Sequence, residues 1–166
     1  MVRRGLTATA MAAVLAIAGP AALALADPDA VIKHPGQSYI GLGVMNDTGR
    51  NQTSKEAVGQ GGVAEFRTRI HNVAPGDDPD EFDVTACQGN NKFGVKYFEF
   101  DGTNVTQTVK SGGFFVPDVD QDNSKNALVV VVKAKSRAMH GDKYRCRIEF
   151  ESDLEVDVVR GTTRVV

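Results

Sequence analysis

Between Ala64 and His71 the chain alternates strictly, with Ala64, Phe66, Thr68 and Ile70 on one face and Glu65, Arg67, Arg69 and His71 on the other. A period of two marks a half-buried strand, because successive side chains of an extended backbone point to opposite sides. Gly61-Gly62 before it and Asn72 after it bound the element. The same pattern predicts strands through Phe82, Val84 and Ala86, and through Phe93, Val95 and Tyr97, running on to Phe100 before the Asp101-Gly102 turn. Tyr144, Cys146, Ile148 and Phe150 alternate against Lys143, Arg145, Arg147 and Glu149. Leu128, Val130, Val132 and Ala134 lie on a segment apolar on both faces near its middle, which predicts a central strand. A last strand is expected from Val156, Val158 and Val159 toward Val165, and a weaker one near Tyr39 and Ile40 is expected to open the domain. No helix is expected. Some seven to nine short strands separated by turn residues predict an all-β fold, an antiparallel β-sandwich.

The first 26 residues follow a different pattern. Arg3 and Arg4 precede an apolar run from Leu6 to Leu25, and Ala24-Leu25-Ala26 supplies the small residues that signal peptidase reads. Gly19 and Pro20 inside the run favour a removed leader over a retained helix, with Asp27 as the first mature residue. Removing 26 of the 166 residues leaves 140, enough for one domain with a real core. Residues 27–36 read as an N-terminal extension and 37–166 as the sandwich. No second apolar stretch reaches membrane-spanning length, so the expected product is secreted, extracellular or held in the cell envelope, without membrane insertion once the leader is gone. The leader takes two of the 19 basic groups and none of the 21 acidic ones, leaving a mature balance of 17 to 21. That net charge gives no reason to expect nucleic acid as a partner. Two cysteines remain, Cys87 and Cys146, and an isolated pair in an oxidising compartment is read first as a disulfide.

These elements carry a resemblance. Tyr39-Ile40-Gly41-Leu42-Gly43, the Gly-Gly turn into a strand, and Ile70-His71-Asn72 come first, followed by Phe82-Asp83-Val84-Thr85. Phe93-Gly94-Val95-Lys96-Tyr97-Phe98, Asn104-Val105-Thr106 and a valine-rich last strand complete the order. Over residues 37 to 166 the chain resembles the immunoglobulin-like sandwiches of exported bacterial proteins, including the cell-adhesion-related group. The resemblance implies a non-catalytic module whose partner is an unidentified extracellular or cell-surface protein. Asp142-Lys143-Tyr144-Arg145-Cys146 is similar to the corner that precedes the second cysteine of immunoglobulin domains, yet no cysteine lies between Phe66 and Ile70 to receive it. Cys87 instead ends the third main strand. The expected bridge is therefore a staple between neighbouring strands of one sheet, with a bulge needed to turn Cys87 away from the face opposite Phe82, Val84 and Ala86.

Candidate chemistry is sparse. Asp118, Asp120 and Asp122 place three carboxylates at every second position of a loop, a spacing that can wrap one hard cation, and calcium is the one cofactor the sequence admits. The stretch fails as an EF-hand, since Asn123 stands at the sixth position and Val129 at the twelfth; a solvated polar loop is the plainer reading. Asp77, Asp78, Asp80 and Glu81 form a second acidic run, read as a solubilising loop. His34, His71 and His140 lack metal-ligand spacing, and no nucleophile elbow or phosphate-cradling glycine run occurs, so no enzyme is expected. Carbohydrate binding, the alternative role alongside calcium, normally uses exposed aromatics. The chain has no tryptophan, and of its three tyrosines only Tyr39 escapes core-facing parity. Asn46, Asn51 and Asn104 fit the glycosylation sequon but sit in Asn/Thr-rich turns, which account for them.

Overall fold

The computed structural model describes residues 27–73, 80–153 and 155–166. The leader with its cleavage site, and Asp77 and Asp78 of the second acidic run, lie outside them. Within the described residues the strands are β1 (Pro28–Lys33), β2 (Thr53–Val58), β3 (Val63–Asn72), β4 (Asp80–Ala86), β5 (Phe93–Phe98), β6 (Phe115–Val119), β7 (Ser124–Ala134), β8 (Lys143–Glu151) and β9 (Val156–Val165), with one helical turn, α1 (Thr106–Lys110). They form a sandwich of two sheets, ordered β1-β3-β7-β5 and β2-β9-β8-β4-β6.

The alternating strands behave as their patterns require. Ala64, Phe66 and Ile70 of β3 are fully buried, as are Phe82 of β4, Tyr97 of β5 and Ile148 and Phe150 of β8. Each buried aromatic or aliphatic side chain contributes roughly 1.5–3 kcal/mol through removal of apolar surface from water. The segment apolar on both faces, β7, is central, between β3 and β5. Thr68 is the polar exception on the inner face of β3. The β3–β7 register slips between Arg67 and Arg69, and the Thr68 hydroxyl repairs the ladder by accepting from Leu128 N–H at 3.0 Å and donating to Leu128 C=O at 3.2 Å. At Gly161 of β9 the two sheets approach so closely that an added Cβ would lie 2.7 Å from the Phe66 ring.

Cys87 and Cys146 are joined, with their Cα atoms 5.1 Å apart. Cys146 lies on β8 and Cys87 immediately follows β4, its neighbour, so the bridge is a within-sheet staple. Cys87 N–H still bonds Arg147 C=O at 3.0 Å, one register step beyond the Ala86–Ile148 pair. Closing a span of 59 residues is worth about 4 kcal/mol in the chain-entropy account.

Four expectations are corrected. The stretch 27–36 contains β1, whose Ala30, Val31 and Ile32 are buried and which pairs antiparallel with β3, so this part of the extension belongs to the sandwich. The region near Tyr39 and Ile40 makes only a single bridge, Ile32 to Ile40, because Gly41 and Gly43 adopt positive φ there and turn the chain. The strand through Tyr97 stops at Phe98, since the Glu99 N–H bonds the Thr103 C=O and closes a turn that contains Phe100. The sandwich is antiparallel-rich, as expected, with β2 and β9 the one parallel pair among the described strands. A five-residue helix, α1, also stands where none was expected.

Candidate functional site

The outer face of the five-stranded sheet carries the most polarised chemistry among the described residues. On β8 the period of two sends Tyr144, Cys146 and Ile148 inward and Lys143, Arg145 and Arg147 outward. On β9, Val159, Gly161 and Thr163 turn inward, leaving Arg160, Thr162 and Arg164 outward. The register then stacks these positions in rows. Arg147 lies beside Arg160, Arg145 beside Thr162 and Lys143 beside Arg164. The parallel strand β2 adds a third column, with Thr53 next to Arg160, Lys55 next to Thr162 and Ala57 next to Arg164. Of the nine outward positions in this three-by-three block, six are lysine or arginine and none is a carboxylate.

A groove of about 640 Å³ runs over the block, lined by Lys55, Lys143, Arg145, Arg160 and Arg164 together with threonines. Its one acidic neighbour, Glu56, is turned aside, with Oε2 accepting the Glu65 N–H at 2.9 Å. Among the described residues, none of those five cations forms an ion pair. Arg147 is anchored differently, pairing with Glu149 and donating to Asp47 C=O at 2.8 Å. Five uncompensated cations within reach of one another repel, and that repulsion is relieved by an anion set among them.

A buried carboxylate fixes β2 and the loop before it against β9. Asp157, at 0% exposure, accepts N–H groups from Ala30 at 2.7 Å, Asn46 at 2.9 Å and Val158 at 2.8 Å, and the Gln52 amide at 2.7 Å. Gln52 leads directly into β2, and its C=O accepts the Arg160 N–H at 2.9 Å. Burial pushes the Asp157 carboxyl above the usual carboxylate range, opposed by its four donors. Asn46, one of the sequon residues, is consumed in the same network: its amide bonds Arg50 C=O and Gln52 Oε1, and its Oδ1 receives Thr48 and Arg50.

The far end of the same face is acidic. Glu149 and Glu151 continue the outward row of β8, Asp83 pairs with Glu151 on β4, and a smaller groove of about 250 Å³ is lined by Glu81, Asp83, Glu151, Ser152 and Asp153. The face is thus bipolar, positive over β2, β9 and the first half of β8, negative over the rest of β8 and β4.

Asp118, Asp120 and Asp122 fall elsewhere. All three are exposed around the turn from β6 to β7, and among the described residues no three histidine, cysteine or acidic side chains come close enough to hold a metal ion together. Asp118 and Asp122 instead take positive φ, of 49° and 57°, and shape the turn. Tyr39, the tyrosine left over by parity, is occupied by cations, with Lys33 Nζ at 4.4 Å and the Arg69 guanidinium at 4.8 Å from its ring centre. Tyr97 and Tyr144 are buried beside the disulfide staple, and burial raises both hydroxyl pKa values. No helix among the described residues is long and apolar enough to cross a membrane.

The basic block was half visible in sequence. Lys143, Arg145 and Arg147 stand out as the polar side of β8, whereas Lys55, Arg160 and Arg164 join them only through the β2–β9–β8 register. The alternation of Arg160, Thr162 and Arg164 within the last valine-rich strand was the available signal.

No family model matches the chain, and no curated protein matches it by sequence. Solved structures similar to it include a family 123 glycoside hydrolase from Clostridium perfringens, with TM-score 0.38 and 10% identity over 69% of this chain and 23% of that one. A type I cohesin from Pseudobacteroides cellulosolvens gives TM-score 0.36 and 14% identity over 68% of this chain and 91% of that one. A type I cohesin–dockerin complex from Clostridium thermocellum contains a chain at TM-score 0.36 and 15% identity, covering 68% of this chain and 94% of that one. The chain thus spans under a quarter of the hydrolase and more than nine-tenths of the other two matched chains.

Proposed function

We propose that this chain is an exported, non-catalytic interaction module that grips an acidic segment of a protein partner outside the cytoplasm. The observation that carries the reading is the block of six lysines and arginines, free of carboxylates, on the outer face of β2, β9 and β8. A chain whose mature balance is acidic has gathered a third of its cations there, and a shallow open groove suits an extended side-chain-rich segment better than a small molecule. The kinship with immunoglobulin-like domains of exported bacterial proteins, drawn from the sequence, belongs to the same reading, as does the cleaved leader.

Poly-L-glutamate is a direct probe. The chain from Asp27 to Val166, which contains every described strand, should bind it at low ionic strength and lose at least about tenfold in affinity at high salt, where the screening length falls to a few Å. Replacing Lys55, Arg145 and Arg164 together with glutamate should abolish binding while leaving the fold intact, since Lys55, Arg145 and Arg164 are exposed. Undiminished binding by that variant would remove the face from consideration.

A further inference from the structure

The bipolar face has a property that a uniformly basic one lacks: it is complementary to its own image. Along β8 the outward side chains read Lys143, Arg145, Arg147, then Glu149, Glu151. The positive half spreads sideways onto Arg160, Arg164 and Lys55, and the negative half onto Asp83 and Glu81. We infer that the occupant of this face, in the absence of another partner, is a second copy of the same chain. The inference rests on the reading of the face as a binding surface.

The geometry follows from symmetry. A two-fold axis lying in the plane of the face, perpendicular to the line joining the two halves, brings each positive half over the negative half of the other copy. Both charge contacts form at once in a closed, isologous pair. Arg147 and Glu149, already paired with each other, sit at the boundary and so near the axis. Five strands spaced about 4.8 Å and a nine-residue β8 rising about 3.4 Å per residue give a face of roughly 600–700 Å² per copy, within the size range of specific interfaces. Phe115, 47% exposed on β6 and paired with Asp83, offers an aromatic contact on the acidic flank. Because this pairing covers the cationic groove, an acidic protein segment and the second copy compete, and self-pairing holds the module closed until such a segment arrives.

The test uses two charge-reversed variants of the chain from Asp27 to Val166, followed by sedimentation velocity. Lys55→Glu, Lys143→Glu, Arg145→Glu and Arg164→Glu together set four carboxylates against Arg147 and Arg160 and make both halves net acidic; Glu81→Lys, Asp83→Lys and Glu151→Lys together set three lysines against Glu149 and make both halves net basic. The parent should sediment as two chains at about 50 mM salt and as one at about 500 mM, where charges several Å apart are screened. Each variant alone should be a single chain, because like halves now meet, and an equimolar mixture should restore the two-chain species, since a net acidic face fits a net basic one. A parent that stays a single chain at low salt, or a mixture that does not associate, overturns the inference, as does a mass that climbs past two chains with concentration. A single-chain parent that still binds poly-L-glutamate overturns only the second copy; one that also fails to bind it removes the functional reading as well.

Discussion

Replacing Asp157 with asparagine should destabilise the sandwich more than any exposed substitution, and with a distinctive pH dependence. The carboxylate receives four N–H groups at 2.7–2.9 Å from β1, the Gln52 side chain, the Asn46 backbone and β9 itself. Asparagine keeps the shape but turns an NH2 toward two of those donors, leaving buried N–H groups without an acceptor. Each unsatisfied buried donor costs about 1–3 kcal/mol, so a net loss of about 3 kcal/mol is expected. At roughly 3–4 °C per kcal/mol for a domain of this size, the melting temperature should fall by about 10 °C. Burial holds the folded Asp157 pKa above its ordinary value of 3.8. The folded chain therefore takes up this proton more readily than the unfolded one. Its contribution is complete below the ordinary value and declines as pH rises through the folded one. Differential scanning calorimetry of parent and Asp157→Asn across pH 4 to 7 should show the gap between them widening on acidification. A variant melting within about 2 °C of the parent, or a gap that narrows in acid, would refute the account of this network.

Three further outcomes follow from the packing. Gly161→Val should lower the melting temperature sharply, by the equivalent of about 3 kcal/mol or more, because its Cβ meets the Phe66 ring at 2.7 Å in a filled core; Gly161→Ala should do less. Reduction of the Cys87–Cys146 staple, or its replacement by two alanines, should cost about 4 kcal/mol in chemical denaturation while the two-sheet fold persists at moderate temperature. Thr68→Val should cost about 1–3 kcal/mol, since it strips the Leu128 N–H and C=O of their partner at the register slip; unchanged stability would mean that water replaces the hydroxyl.

The strands that alternate, β3, β4, β5 and β8, were legible because burial on one face writes a period of two into the sequence. β7 was legible by the opposite sign, apolar on both faces because it is flanked on each side. β2 was hidden: Thr53-Ser54-Lys55-Glu56-Ala57-Val58 carries little apolar pattern, and a strand parallel to β9 has no hairpin turn to announce it. β1 was mistaken for a tail because Ala30-Val31-Ile32 is a short apolar run flanked by charges, one of which, Asp29, is itself buried. Asp157 gave no sign of its role, since its partners Gln52 and Ala30 lie 105 and 127 residues away. The basic face was obscured for a related reason. Net charge averages over both sheets and all edges, whereas the register of three strands decides which cations share a surface.

The central claim, that the cationic block over β2, β9 and β8 is the surface that takes a protein partner, is tested most directly by residue-level NMR. Amide resonances of the chain from Asp27 to Val166 would be followed during titration with poly-L-glutamate at intermediate salt. The account predicts shifts concentrated at Lys55, Lys143, Arg145, Arg160 and Arg164 and their row neighbours Thr53 and Thr162, with little change on the opposite sheet. Shifts centred instead on the exposed apolar loop at Ile40, Leu42 and Met45, or no saturable shifts at all, would contradict it.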